Sequence, residues 1–140
     1  MITAVDTNVL LDILRGDARF GSRSRAAVRD SQRDGALIVG EIVWAEIVTG
    51  YEGPREANSV LERLGIGFVP AGKAAAELAG SAWRAYRRRG GSRERIIADF
   101  LVGAHAVTHA DRLLTRDRGF YRSNFEQLVV IDPTASSQSV

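Results

Sequence analysis

The chain has 140 residues, 45% of them hydrophobic and 26% charged, the make-up of one ordinary globular domain. It has no cysteine, which excludes disulfides and thiolate metal sites and fits a reducing compartment. The net charge is only +2, but 18 of the 19 basic residues are Arg, whose planar fork suits phosphate.

The first run, "ITAVD", is a short apolar stretch closed by an acid and predicts a buried strand. "NVLLDILRG" has helical spacing and stops at Gly16. Residues 17–34 are polar, Arg-rich and read as helix, and "ALIVG" is a second buried strand. "EIVWAEIVTG" predicts a helix closed by Gly50; being apolar nearly all round, it is expected to be buried. "PREANSVLERLG" begins with Pro and ends with Gly, the asymmetry of a helix. "IGFVP" is a short strand, and residues 73–89 form a long helix ended by Gly90, Gly91 and Ser92. A second long helix is expected over about 93–108. "RLLT" is a strand, "RDRGFYR" a short helix or turn, and "QLVVI" a last strand.

Strands alternating with helices predict an α/β fold with a parallel sheet flanked on both faces. A single domain over 1–132 is expected, with a disordered tail over 133–140. No uncharged apolar run nears the roughly 18 residues a membrane span needs. The N-terminus carries Asp6 and Asp12 and no basic leader, a poor signal peptide. The expected location is the cytoplasm.

In such sheets ligands bind beyond the carboxyl ends of the strands. Asp6 directly follows the first strand, and Asp117 follows "RLLT". Glu46 and Asp99 sit in apolar helical stretches, where a buried carboxylate needs a partner. Each acid alone has a structural explanation: Asp6 as a helix cap, Glu46 reaching an Arg, Asp99 pairing with Arg95 one turn earlier. Together they place two acids at one sheet edge and two more needing partners. Four converging carboxylates repel one another, and a divalent cation relieves this. All-oxygen ligands suit Mg²⁺ or Mn²⁺, which activate water and orient a phosphodiester. Gly103 and Ala106 share the helix face of Asp99, leaving room for an ion and a phosphate or serving close packing. Asn8, two residues after Asp6, is placed to orient it, and Thr115 is placed on the side of Asp117. Arg84, Arg87, Arg88, Arg89, Arg93 and Arg95 lie within twelve residues and form a candidate phosphate-binding face.

The segments "VDTNVLLDILRGD", "WAEIVTGY", "IIADFLVGAHA" and "LLTRDRGFY" resemble the four acidic motifs of PIN-domain ribonucleases. Their order and spacing are most similar to VapC-type toxins of type II toxin–antitoxin pairs. The resemblance runs from about Ile2 to Ile131. It implies a PIN-like sheet of about five parallel strands and a Mg²⁺- or Mn²⁺-dependent endoribonuclease. Asp6, Glu46, Asp99 and Asp117 would be the catalytic and metal-binding quartet, with Asn8 and Thr115 supporting it. Glu46 is preferred to Glu41, which reads as a helix-start residue. Flanking phosphates would meet Arg84, Arg87, Arg88, Arg95, Arg116 and Arg118. A homodimer and a VapB-type antitoxin are the implied partners, and the antitoxin segment often sets a basic side chain against the acids. Asp12 is expected on exposed helix surface, Asp111 in a turn, and His105 and His109 in packing or surface roles. Other PIN proteins share the same acids, so an RNA-binding or RNA-processing role outside toxin–antitoxin pairs is the alternative. A haloacid-dehalogenase-type enzyme would want a second Asp where this chain has Asn8, and the receiver pattern of acids is absent.

Overall fold

Ile2–Val5 buries three of its four side chains and forms the central strand β1. The computed structural model describes residues 1–135. After β1 come α1 (Thr7–Leu14), α2 (Gly21–Asp34), β2 (Ala36–Val39), α3 (Glu41–Val48), α4 (Pro54–Arg63) and β3 (Ile66–Phe68). Then follow α5 (Gly72–Arg88), α6 (Ile97–His109), β4 (Arg112–Leu114), α7 (Arg118–Asn124) and β5 (Val129–Ile131). Residues 133–135 form a turn in which Thr134 bonds to the Asp132 carboxylate; the rest of the expected tail, 136–140, lies outside the described residues.

The sheet is parallel throughout, in the order β3-β2-β1-β4-β5. The chain moves outward from β1 to β2 and β3, then returns across β1 to lay down β4 and β5. Right-handed crossovers therefore place α1–α4 over one face and α5–α7 over the other. The packing agrees: α2 and α3 lie on β2, α4 on β3, α6 on β1 and β4, and α7 on β5. This is the expected α/β arrangement of about five parallel strands. The direction of winding reverses between β1 and β4, which opens a crevice at the carboxyl ends of these two strands.

Two helices differ from the sequence reading. The Arg93–Ile96 stretch is turn and loop, so α6 begins only at Ile97 and Asp99 lies in its first turn. A carboxylate there is stabilised by the helix dipole and is only half-buried. The helix α3 is not buried all round; only Val43 and Ile47 are fully buried, Ile42 and Trp44 pack partly buried against the core, and Glu46 is exposed. Its apolar residues outnumber the places the core offers, because the helix lies at the rim of the sheet.

Behind α6 sits an aromatic cluster. Phe100 meets Phe120 at 5.2 Å, Tyr86 at 5.3 Å and Phe125 at 6.3 Å between ring centres. Gly103 lies against Phe125, where a Cβ would enter the ring. Its smallness serves this close packing and leaves no room for a ligand. His105 is buried, 2.8 Å from the Val69 carbonyl through Nε2, and fills the space beside Gly40, where a Cβ would lie 2.7 Å from its ring. His109 likewise reaches the Ala71 carbonyl, at 2.6 Å. Both histidines therefore tie α6 to the segment between β3 and α5.

Two outcomes follow from this packing. Gly103→Val should destabilise the fold by roughly 1–3 kcal/mol through overpacking against Phe125, read by urea denaturation; an unchanged midpoint would contradict the contact. Burial lowers the pKa of His105 below its ordinary 6.5. The unfolded chain then binds this proton more tightly than the folded one. The stability it contributes is complete above pH 6.5 and is lost as the pH falls below it. Denaturation at pH 7.5 and 5.5 should show that loss, and His105→Gln should reduce it.

Candidate active site

Asp6 follows β1, and its backbone N–H continues the sheet by donating to the Leu114 carbonyl at 2.9 Å. The residue caps α1: Oδ1 accepts from the Thr7 N–H at 2.8 Å. Oδ2 accepts from the Thr115 hydroxyl at 2.8 Å, the Tyr121 hydroxyl at 3.1 Å and the Asn8 amide at 3.3 Å. A helix cap and a site acid are thus the same side chain. Burial raises the Asp6 pKa, the Thr115, Thr7 and Tyr121 bonds oppose the rise, and the Asp117 charge adds to it. Tyr121 is held far above its ordinary 10.0, first by burial and then by the Asp6 charge, so it remains a donor.

Thr115 is fully buried. Its hydroxyl also accepts from the Asp117 N–H at 3.0 Å and lies 3.4 Å from the Asn8 amide. The Asn8 side-chain Oδ1 accepts from the Arg116 backbone N–H at 3.1 Å. The loops after β1 and β4 are laced together by these bonds. Asn8 and Thr115 both hydrogen-bond the Asp6 carboxylate, and Thr115 also accepts from the Asp117 N–H.

Glu46 reaches over from α3. Its carboxylate accepts from the Thr7 hydroxyl at 3.1 Å. Partial burial raises its pKa, and the Asp6 and Asp99 charges add to the rise. Asp99 accepts from the Ile96 N–H at 2.9 Å and so closes the first turn of α6. It does not pair with Arg95, which lies ahead of the helix. Arg95 instead meets Asp117, Nη1 to Oδ2 at 2.6 Å, with its guanidinium 4.2 Å from the centre of the Phe120 ring.

All four acids line one cavity of about 320 Å³, together with Thr7, Asn8, Ile96 and Tyr121. Among the described residues no three of these acids are drawn into a closed metal-ligand set. Each acid here is held by its own neighbours. The donors are hard oxygens, the cavity is open to solvent, and Asp6 is fixed by neutral groups that add no competing charge. That chemistry fits a Mg²⁺ or Mn²⁺ ion.

The basic residues divide. Arg84, Arg87 and Arg88 are exposed and line an open concavity with Gly80 and Trp83, over which Arg87 stacks at 5.0 Å. Arg118 is half-exposed, 3.8 Å from the Asp132 carboxylate. Arg116 is different: it grips Asp12 through two bonds, Nε at 2.7 Å and Nη2 at 3.1 Å, and stacks on Phe20. Asp12 is accordingly buried, not on the surface, and also accepts from the Ser24 hydroxyl at 2.8 Å. Its partner lies 104 residues away, which no local pattern announces. Asp111 takes a turn position and accepts from the Ile2 N–H at 2.7 Å, while Glu41 starts α3 and accepts from the Ala71 N–H at 2.9 Å. Thr7 and Tyr121 are the site residues that sequence reasoning missed. A hydroxyl right after Asp6 was a local signal for Thr7, but nothing near Tyr121 pointed to Asp6.

Asp12→Ala should cost roughly 3–5 kcal/mol, since it strands the Arg116 guanidinium. Thermal or urea denaturation would show this, and a cost below that of an ordinary surface substitution would contradict the buried pair.

No curated protein sequence matches the chain. Among solved structures, VapBC-1 from nontypeable Haemophilus influenzae is similar at 19% identity and a TM-score of 0.72, covering 96% of this chain and all of that one. VapBC2 from Rickettsia felis, bound to a DNA fragment from their promoter, is similar at 17% identity and 0.72, covering 94% and 98%. VapC20 from Mycobacterium tuberculosis, a sarcin–ricin loop cleaving toxin, is similar at 15% identity and 0.62, covering 91% and 98%. At these identities the likeness is one of fold. The family model for the PIN domain matches residues 3–126, nearly the whole chain, and the chain belongs to the PIN domain family.

Proposed function

We propose that this protein is a Mg²⁺- or Mn²⁺-dependent endoribonuclease and the toxin of a type II toxin–antitoxin pair, cutting RNA to halt translation and growth. The observation that carries the reading is the convergence of Asp6, Glu46, Asp99 and Asp117 on one cavity at the winding switch between β1 and β4. Membership of the PIN family and likeness to solved VapBC assemblies support it. The reading carries with it a VapB-type antitoxin, a homodimer and a cytoplasmic setting. No helix among the described residues is long and apolar enough to cross a membrane.

In this mechanism Asp6 and Asp99 would hold the metal, with Glu46 and Asp117 contributing to the same acidic set. When bound, the ion supplies Lewis-acid activation of water and orients the phosphodiester for in-line attack. The residues of this chain do the positioning. Thr115, Tyr121 and Asn8 leave Asp6 a single orientation, and Thr7 aims Glu46 toward the same cavity. One of the carboxylates accepts the proton of the attacking water. Arg84, Arg87, Arg88 and Arg118 provide guanidinium groups for flanking phosphates, and Arg95 lies beside the acids. Arg116, bound to Asp12, acts by holding the loop that carries Asp117.

The test is cleavage of total cellular RNA by antitoxin-free protein in Mg²⁺ or Mn²⁺, with and without EDTA. Discrete cuts with 5′-phosphate and 3′-hydroxyl ends, abolished by EDTA, are expected. Asp6→Asn and Asp99→Asn should lose about a hundredfold or more, and Tyr121→Phe about tenfold through the orientation of Asp6. Folded, metal-loaded protein that cuts no RNA would overturn the nuclease reading and leave an RNA-binding PIN protein.

A further inference from the structure

Arg95 differs from every other arginine of the chain in what it touches. Among the described residues it is the one cation bridged to an acid of the quartet. The contact is made through a single nitrogen, and both side chains are about a third exposed, at 32% and 34%. The Arg116–Asp12 pair has two bonds and an acid only 5% exposed. The first pair is built to exchange and the second to stay. Solvent screening makes a one-point ion pair that is a third exposed weak. Arg95 also has a place to rest. Its guanidinium lies over Phe120, whose own ring is fixed by Phe100, Tyr86 and Tyr121. A guanidinium on an aromatic face keeps part of its stabilisation when a carboxylate leaves it.

The positive charge of Arg95 therefore offsets repulsion among the four acids, the same task that a divalent ion would perform. Two cations that relieve one repulsion oppose each other. Resting on the metal-dependent reading above, we propose that Arg95 is an internal competitor for the divalent cation: its bond to Asp117 must be broken or weakened as the ion binds, and it sets how much metal the site requires. Arg95 is thus a positioning residue acting through Asp117, with a measurable effect on metal affinity itself.

The experiment is Mn²⁺ binding to the full chain without RNA, followed by calorimetry and by the spin-resonance signal of free Mn²⁺. Arg95→Gln should bind Mn²⁺ about three- to tenfold more tightly than wild type, the scale of a partly exposed ion pair. Arg95→Lys, which keeps the charge, should stay nearer to wild type. The gain should vanish in an Asp117→Asn background, where Arg95 has lost the acid it holds. Thermal denaturation of each variant checks that Phe120 and its neighbours remain packed. Unchanged or weaker binding by folded Arg95→Gln overturns the proposal alone, as does a gain of the same size in the Asp117→Asn background. Absence of Mn²⁺ binding in every folded variant overturns the metal-dependent reading together with it.

Discussion

The pairing of β1 with β4 is the constraint on which the rest depends. The two strands are neighbours in the sheet but lie more than a hundred residues apart in the chain, with Val5 opposite Leu114. Their pairing sets Asp6 beside Thr115, and one hydrogen bond from the Asp6 N–H to the Leu114 carbonyl extends the ladder into the site. The winding of the chain reverses here, so α1 leaves toward one face and α7 toward the other. That divergence opens the crevice. Without the pairing, Asp6 and Asp117 are two unrelated residues at strand ends; with it, they belong to one cavity.

The cavity brings four acids together without burying any of them unsatisfied. Asp6 is the deepest and is held by neutral donors, two hydroxyls among them. Glu46 leans on a threonine hydroxyl, Asp99 on a backbone N–H, and Asp117 on a guanidinium. Glu46 and Asp99 each accept through one carboxylate oxygen. Neutral donors at Asp6 orient the carboxylate without placing a compensating positive charge on it. The ion pair lies at the rim, where water can loosen it.

The arginines show how little residue type says without context. Arg95 and Arg116 are both near the site and both stack on an aromatic ring, on Phe120 and Phe20 respectively. One is a half-exposed neighbour of the site acids, and the other is a structural tie between α1 and the loop after β4. Arg84, Arg87 and Arg88 remain exposed on α5. The decisive variable is the acid that each one meets.

Much of the architecture was legible in local patterns. Short apolar runs ending in Gly or Asp announced the strands, and Pro54 and the closing glycines marked helix ends, because these signals act within a few residues. The alternation of strands and helices implied the parallel sheet, and the position of Asp6 and Asp117 just after strands implied the binding edge. The four acidic motifs carried the family resemblance. What the sequence could not decide was which side chains meet. The true start of α6, the burial of Asp12, the Tyr121–Asp6 bond and the packing of Gly103 on Phe125 all turn on partners supplied by distant elements. Local propensity reads neighbours along the chain, whereas burial and charge pairing are settled across the sheet, after the crossovers have put β4 beside β1.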